Sequence, residues 1–364
     1  MTDISSELIA RVAHASAEKQ PLNIVGGGSK AFLGRETLGE TISIREHQGI
    51  LSYQPVELVM TARAGTPISV IETILAEQGQ MLAFEPANYS GKATIGGTLA
   101  SNSSGPARPW AGSVRDAVLG IKLINGKSEH LNFGGQVLKN VAGYDVSRMQ
   151  AGAMGSLGVI TQVSFKVMPK PQSSMTLVQT MDAQQAIEQM NKLAGQAKPL
   201  TAACWLNNKL YLRLSGAQSA VEGTIKAWSG EVLESDQQFW QSLKEQQLGF
   251  FTENITDGFE NNFANSHPLW RFSVNSNAKH FLPKQNWLID WGGSQRWLRG
   301  SHDLETLETL AENADGQVSM FRGGDRANEV FHRQALGLKA IHQRLKSSFD
   351  PKNIFNPGRL YSWL

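Results

Sequence analysis

Two periods of apolar positions run through the first half of the chain. In "ISSELIARVAHASAEKQ" (4–20), Leu8, Ile9 and Val12 fall on one helical face, and Pro21 ends the segment. A second helix is predicted over 67–78, where Pro67 follows Thr66 and needs no N–H of its own at the first turn. Between and after these, short apolar runs predict strands at 22–25, 41–44, 58–64, 117–124, 129–133 and 159–168, with Asn125-Gly126 as a hairpin turn. The pattern is α+β and dense in tight turns, without the steady strand–helix alternation of a doubly wound sheet. Beyond 172, strands are expected at 175–180, 201–206 and 209–215 and helices at 182–195, 217–229 and 235–247, followed by mixed structure through 270–274, 287–293 and 297–301. That order predicts an antiparallel sheet with helices on one side.

Composition sharpens the division. Of 35 glycines, 21 lie at or before Gly158, whereas seven of the nine tryptophans fall between Trp205 and Trp297. "VMPKPQ" (167–172) marks the boundary. The expected boundary divides 1–171 from the rest of the chain. The charge balance, 34 Lys+Arg against 32 Asp+Glu, gives +2 and points to neither nucleic acid nor an anionic membrane. The lone Cys204 forms no internal disulfide and holds no iron–sulfur cluster alone. Neither a signal-peptide core nor a membrane-length apolar run is present, so a cytoplasmic location is expected.

Candidate chemistry concentrates in glycine-rich loops. "PLNIVGGGSKAFLG" (21–34) satisfies the dinucleotide fingerprint literally as Gly26-x-Gly28-x-x-Ala31, with Glu46 about 20 residues on. That reading fails because Gly34 and Gly39 interrupt the following chain before a strand at 41, leaving no crossover helix. The local chemistry survives: consecutive glycines let backbone N–H groups converge on an anion, and Ser29 adds a hydroxyl. Alone, the loop reads equally as an empty turn. A second loop, 85–107, carries Thr94, Gly96, Gly97, Ser101, Ser103 and Ser104; a third, 134–161, places Gly143, Gly152, Gly155 and Gly158 before a strand. Three such segments suggest one long cofactor contacted at several points. "GKS" at 126–128 is no Walker loop, since Asn125-Gly126 already forms a turn. Arg115-Asp116 is expected to form an internal ion pair, and "IDWGGSQRW" (289–297) a packing turn.

As a set, "GGGSKAFLG", "ATIGGTLASNSSG", "GSVRDAVLG", the 134–161 segment and the tail "FDPKNIFNPGRLY" resemble the FAD-linked oxidases of the vanillyl-alcohol-oxidase (PCMH) type. More narrowly, "RPWAGSVRD" and "IDWGGSQRWL" resemble the smaller FAD-binding subunits of bacterial glycolate oxidases. The resemblance implies a two-subdomain FAD-binding domain over 1–171 and an α+β cap domain with an antiparallel sheet over 172–345, the C-terminal segment 346–364 returning to the FAD domain. It implies that Gly26, Gly27, Gly28, Ser29, Lys30 and Ala31 wrap the pyrophosphate. It further implies that Thr94, Gly96, Gly97, Ser101 and Gly105 lie along the flavin, that Gly158 and Ile160 present backbone atoms, and that Asn356 approaches the ring. The loops hold no histidine for covalent attachment, so dissociable FAD is expected. The implied partners are a larger homologous flavin subunit and an iron–sulfur subunit, and the implied substrate is the 2-hydroxy acid glycolate; the alternatives are a self-sufficient FAD dehydrogenase of another 2-hydroxy acid and a non-catalytic scaffold subunit of the same fold. The implied location is cytoplasmic, peripheral to the inner membrane through those partners.

The eight histidines show no metal-ligand spacing, and His332 and His342 are expected on different faces of one helix. "FRGGDR" (321–326) keeps the Gly-Asp of the family's metal-binding cap segment but not its histidines. No metal is therefore expected, and the main substrate oxidation is assigned to the larger partner. If this chain binds the acid itself, Arg322 or Arg271 is the candidate carboxylate anchor.

Overall fold

The computed structural model describes residues 2–135, 145–252 and 267–364; Gly143 lies outside them. The helix Ser5–Glu18 buries Leu8, Val12 and Ala15 and stops as Lys19 turns left-handed (φ 53). The strand Leu22–Val25 pairs in parallel with Glu40–Ser43, Ile24 opposite Ile42. A five-stranded antiparallel sheet follows, in the order Ile50–Gln54, Val59–Arg63, Val159–Lys166, Val118–Ile124, His130–Gly134. The helix Ile68–Glu77 buries Ile68, Ile71 and Leu75. One core joins all of these, from Leu8 and Ile42 through Met60 and Val163 to Phe355. The edge strand Ile50–Gln54 is absent from the sequence expectations because none of its residues is fully buried, so it shows no clean alternation.

In the second half, eight antiparallel strands form one sheet. Strand Leu200–Leu206 shows how both faces are covered. Ala203 and Trp205 pack with the helices Ala183–Ala194, Gln218–Ala227 and Leu304–Glu312, while Ala202, Cys204 and Leu206 pack with Trp240 and Leu243 of the helix Asp236–Lys244. The expectation of helices on one side is therefore corrected. The second face needs its own cover because Leu206, Leu269, Leu288 and Phe321 are apolar there, and Leu33 of the first half joins the same cluster.

Three smaller expectations change. The Asp116 carboxylate accepts the Ser113 N–H and hydroxyl, both at 2.8 Å, and caps a helical turn rather than pairing with Arg115. His332 precedes the helix Leu336–Phe349, so only His342 is helical. The "IDWGGSQRW" turn does more than pack: the Trp291 indole N–H donates to the Gly105 carbonyl at 2.9 Å, and Arg108 lies 4.4 Å over the Trp291 ring. That hairpin bolts the eight-stranded sheet to the second glycine loop.

The tail returns to the first half through Lys346. This is the sole buried residue of the helix Leu336–Phe349, and its ammonium donates to Asp350 and to the carbonyls of Ser156 and Phe355, at 2.7, 2.7 and 2.6 Å. Leu22 N–H then donates to Ile354 O, and Asn356 N–H to Leu22 O.

Candidate functional site

Strand Leu22–Val25 runs straight into the first glycine loop, and the second loop lies against it. A Cβ on Gly27 would fall 1.6 Å from the Lys92 carbonyl, so only glycine allows this approach. Between them opens a groove of about 150 Å³. Every predicted cofactor residue except Gly105 borders it: Gly26 through Ala31, Thr94, Gly96, Gly97, Ser101, Gly158, Ile160 and Asn356.

The donors along the groove are unequal. Among the described residues, the backbone N–H groups of Gly26 through Lys30 meet no acceptor. In the second loop the donors are already used: Gly96 N–H bonds Ala64 O at 2.9 Å, Gly97 N–H bonds Thr94 Oγ1 at 3.2 Å, and the Ser101 hydroxyl donates to Gly97 O at 2.7 Å. The second loop therefore shapes the wall, while the first offers a row of free N–H groups. Asn356 ties the two sides together, its Oδ1 accepting Ile24 N–H at 2.7 Å and its Nδ2 donating to Met154 O at 2.6 Å. Met154, Gly155 and Arg359 also line the groove; Gly155 belongs to the third glycine segment and Arg359 closes "FNPGR", but neither was named as a cofactor contact, and Arg359 donates to Ala31 O at 3.1 Å.

At its inner end the groove meets a small chamber of about 30 Å³, the two sharing Lys30, Leu33, Ser101 and Met154. Burial pushes the Lys30 ammonium down to about 8, with Glu245 opposing. The chamber in turn shares Tyr89, Ser103, Arg271 and Phe321 with an inner pocket that reaches Gly105 and Asp290. Arg271 comes from strand Leu269–Ser273 and sits 5.3 Å over the Phe321 ring. Among the described residues its guanidinium has neither an ion-pair partner nor an acceptor. Burial lowers its pKa to about 10, Arg108 adds to this and Tyr89 opposes it. Arg322 is placed differently: it is buried, donates to Phe251 O at 2.9 Å and borders neither cavity. "FRGGDR" closes a surface turn in which Asp325 accepts from Ala327 N–H and the Asn328 amide.

Known proteins place this geometry. A family model described as an FAD binding domain matches residues 4–134. Over 363 residues the chain is 43% identical to glycolate oxidase subunit GlcE of Escherichia coli (strain K12), covering 100% of this chain and 99% of that one. The chain belongs to the GlcE family. Outside that family the likeness is partial: glycolate oxidase subunit GlcD of Bacillus subtilis (strain 168) is 30% identical over 178 residues, 48% of this chain and 37% of GlcD. Among solved structures, an alkyldihydroxyacetonephosphate synthase shares the fold, with a TM-score of 0.65 over 98% of this chain and 76% of that one at 16% identity. FAD is the cofactor of this GlcE-family chain. The residues present fit it, since the free N–H row and the Gly27 cradle suit a pyrophosphate.

Proposed function

We propose that this chain is the FAD-bearing subunit of a multi-subunit glycolate oxidase, in which glycolate is oxidised to glyoxylate. Its FAD domain spans 1–171, its cap 172–345, and the tail 346–364 belongs with the FAD domain. The partners are a larger GlcD-like flavin subunit and an iron–sulfur subunit, and any membrane attachment runs through them. The groove opening into a chamber with an unpartnered arginine carries the reading. Gly26 to Lys30 bind the pyrophosphate through backbone N–H groups, and Arg359 and Asn356 hold the groove's shape. When bound, FAD accepts two electrons as hydride and releases them singly to an acceptor. Arg271, rather than Arg322, takes the acid's carboxylate, which a planar fork does bidentately, and the apolar Phe321 beneath it keeps water away.

Two measurements test this. The purified chain should show flavin absorption that moves to the supernatant after acid precipitation; colour left in the pellet contradicts dissociable FAD. Contrary to the division of labour expected from the missing cap histidines, adding glycolate anaerobically should bleach that flavin, and Arg271→Met should abolish the bleaching with FAD retained. A yellow protein indifferent to glycolate moves substrate oxidation to the larger partner and leaves this chain an electron relay.

A further inference from the structure

The turn carrying Tyr89 is strained and clamped beyond what a cofactor groove needs. Glu85, Tyr89 and Ser90 all take left-handed backbone, with φ of 44, 46 and 58. Non-glycine residues hold such conformations only where their surroundings enforce them, and they cluster at working sites. Here the enforcement comes from the other half of the chain. Glu245, buried, accepts Asn88 N–H at 2.9 and 3.0 Å and Tyr89 N–H at 2.8 Å. Lys244 stands 3.7 Å from that carboxylate and 3.6 Å from Glu72, so one ammonium is shared between two carboxylates. The Tyr89 ring is set by Phe32, edge-on at 5.9 Å, and by the Lys30 ammonium 5.4 Å from its centre. Tyr89 is half-buried, and a phenol taken out of bulk water ordinarily finds a partner. This hydroxyl has none among the described residues, and Tyr89 borders both the chamber and the inner pocket beside Arg271.

We propose that Tyr89 is a substrate contact, its phenol donating a hydrogen bond to an oxygen of the 2-hydroxy acid whose carboxylate Arg271 holds, and that Glu245 is its positioning residue. This rests on the reading of the chamber as a substrate site. Burial raises the phenol's pKa, so it stays neutral and available as a donor at working pH. Arg271 alone would accept any carboxylate of the right size; a second donor set at a fixed place adds discrimination for an acid with oxygens on both carbons.

The test uses the full chain with FAD and oxalate, a two-carbon diacid that cannot be oxidised by hydride loss. Oxalate should perturb the wild-type flavin spectrum at saturable concentration. Tyr89→Phe should keep FAD and melting temperature and weaken oxalate roughly 10- to 100-fold, the range for losing a hydrogen bond to a charged group. Glu245→Gln should weaken it in the same direction, and the double variant should be no worse than Tyr89→Phe, because Glu245 acts through Tyr89. A wild type that responds while Tyr89→Phe binds equally well overturns the Tyr89 assignment. Losses that add overturn the positioning role. A wild type that neither bleaches with glycolate nor responds to oxalate overturns the chamber reading and this inference with it.

Discussion

Lys30 stands where the pyrophosphate groove meets the chamber, and its ionisation links the cofactor to pH. With burial holding it at about 8, the apo protein loses that positive charge as pH rises past 8. A bound pyrophosphate favours the charged form and lifts the pKa, so FAD binding above pH 8 takes up a proton. The dissociation constant should therefore be flat below pH 8 and rise by up to about tenfold per unit above it. Lys30→Met should bind more weakly at neutral pH and lose that slope. Quenching of FAD fluorescence between pH 7 and 9.5 reads both; equal slopes in the two proteins would show that the ammonium faces away from the phosphates.

The helix Leu336–Phe349 shows what an element can do with one buried residue. Leu336, Leu338 and Ile341 are exposed; Phe349 packs on the first core at the helix end, and Lys346, the one fully buried residue, joins Asp350 and two carbonyls. Removing the ammonium leaves the Asp350 carboxylate uncompensated in the interior, a change that costs about 3–5 kcal/mol. Lys346→Met should lower the denaturant midpoint accordingly and, because Asn356 lies just beyond, should also lower FAD content; an unchanged flavin content would separate the tail from the cofactor. The same helix explains what sequence could and could not reveal. With Leu336, Leu338 and Ile341 turned outward it offers no continuous core-facing stripe, as the half-exposed edge strand Ile50–Gln54 offers no clean alternation. The glycine loops were legible because a φ above zero or a close backbone approach admits little else, as at Gly27. The chamber was only partly legible. Arg271 could be named as a candidate, but Tyr89 and Glu245 come from segments over 150 residues apart and meet only through the fold, at spacings that carry no motif.

At the scale of the whole chain, the first half meets the eight-stranded sheet through Leu33, Phe32 and Met154 in its apolar cluster and through polar contacts around the second loop. Trp291 donates to Gly105 O, Glu245 holds the 88–89 turn, and Arg213 pairs with Glu85 at 2.9 Å. Glu85 also accepts Ala107 N–H, so the loop that shapes the flavin wall is held at several points by the opposite half. Such contacts should make the halves unfold together. The tryptophans make this measurable, because seven of nine lie between Trp205 and Trp297 and report the second half, whereas flavin release reports the first. On heating, the two signals should coincide. FAD at 100 times its dissociation constant, worth about 2.7 kcal/mol, should raise both midpoints equally. Trp291→Phe with Arg213→Gln should part them, flavin release coming at lower temperature while the tryptophan transition, resting on the eight-stranded sheet's own core, moves less. A wild-type tryptophan transition that ignores added FAD would mean that the sheets fold independently, and that the chamber between them is held closed by its ligand rather than by the chain.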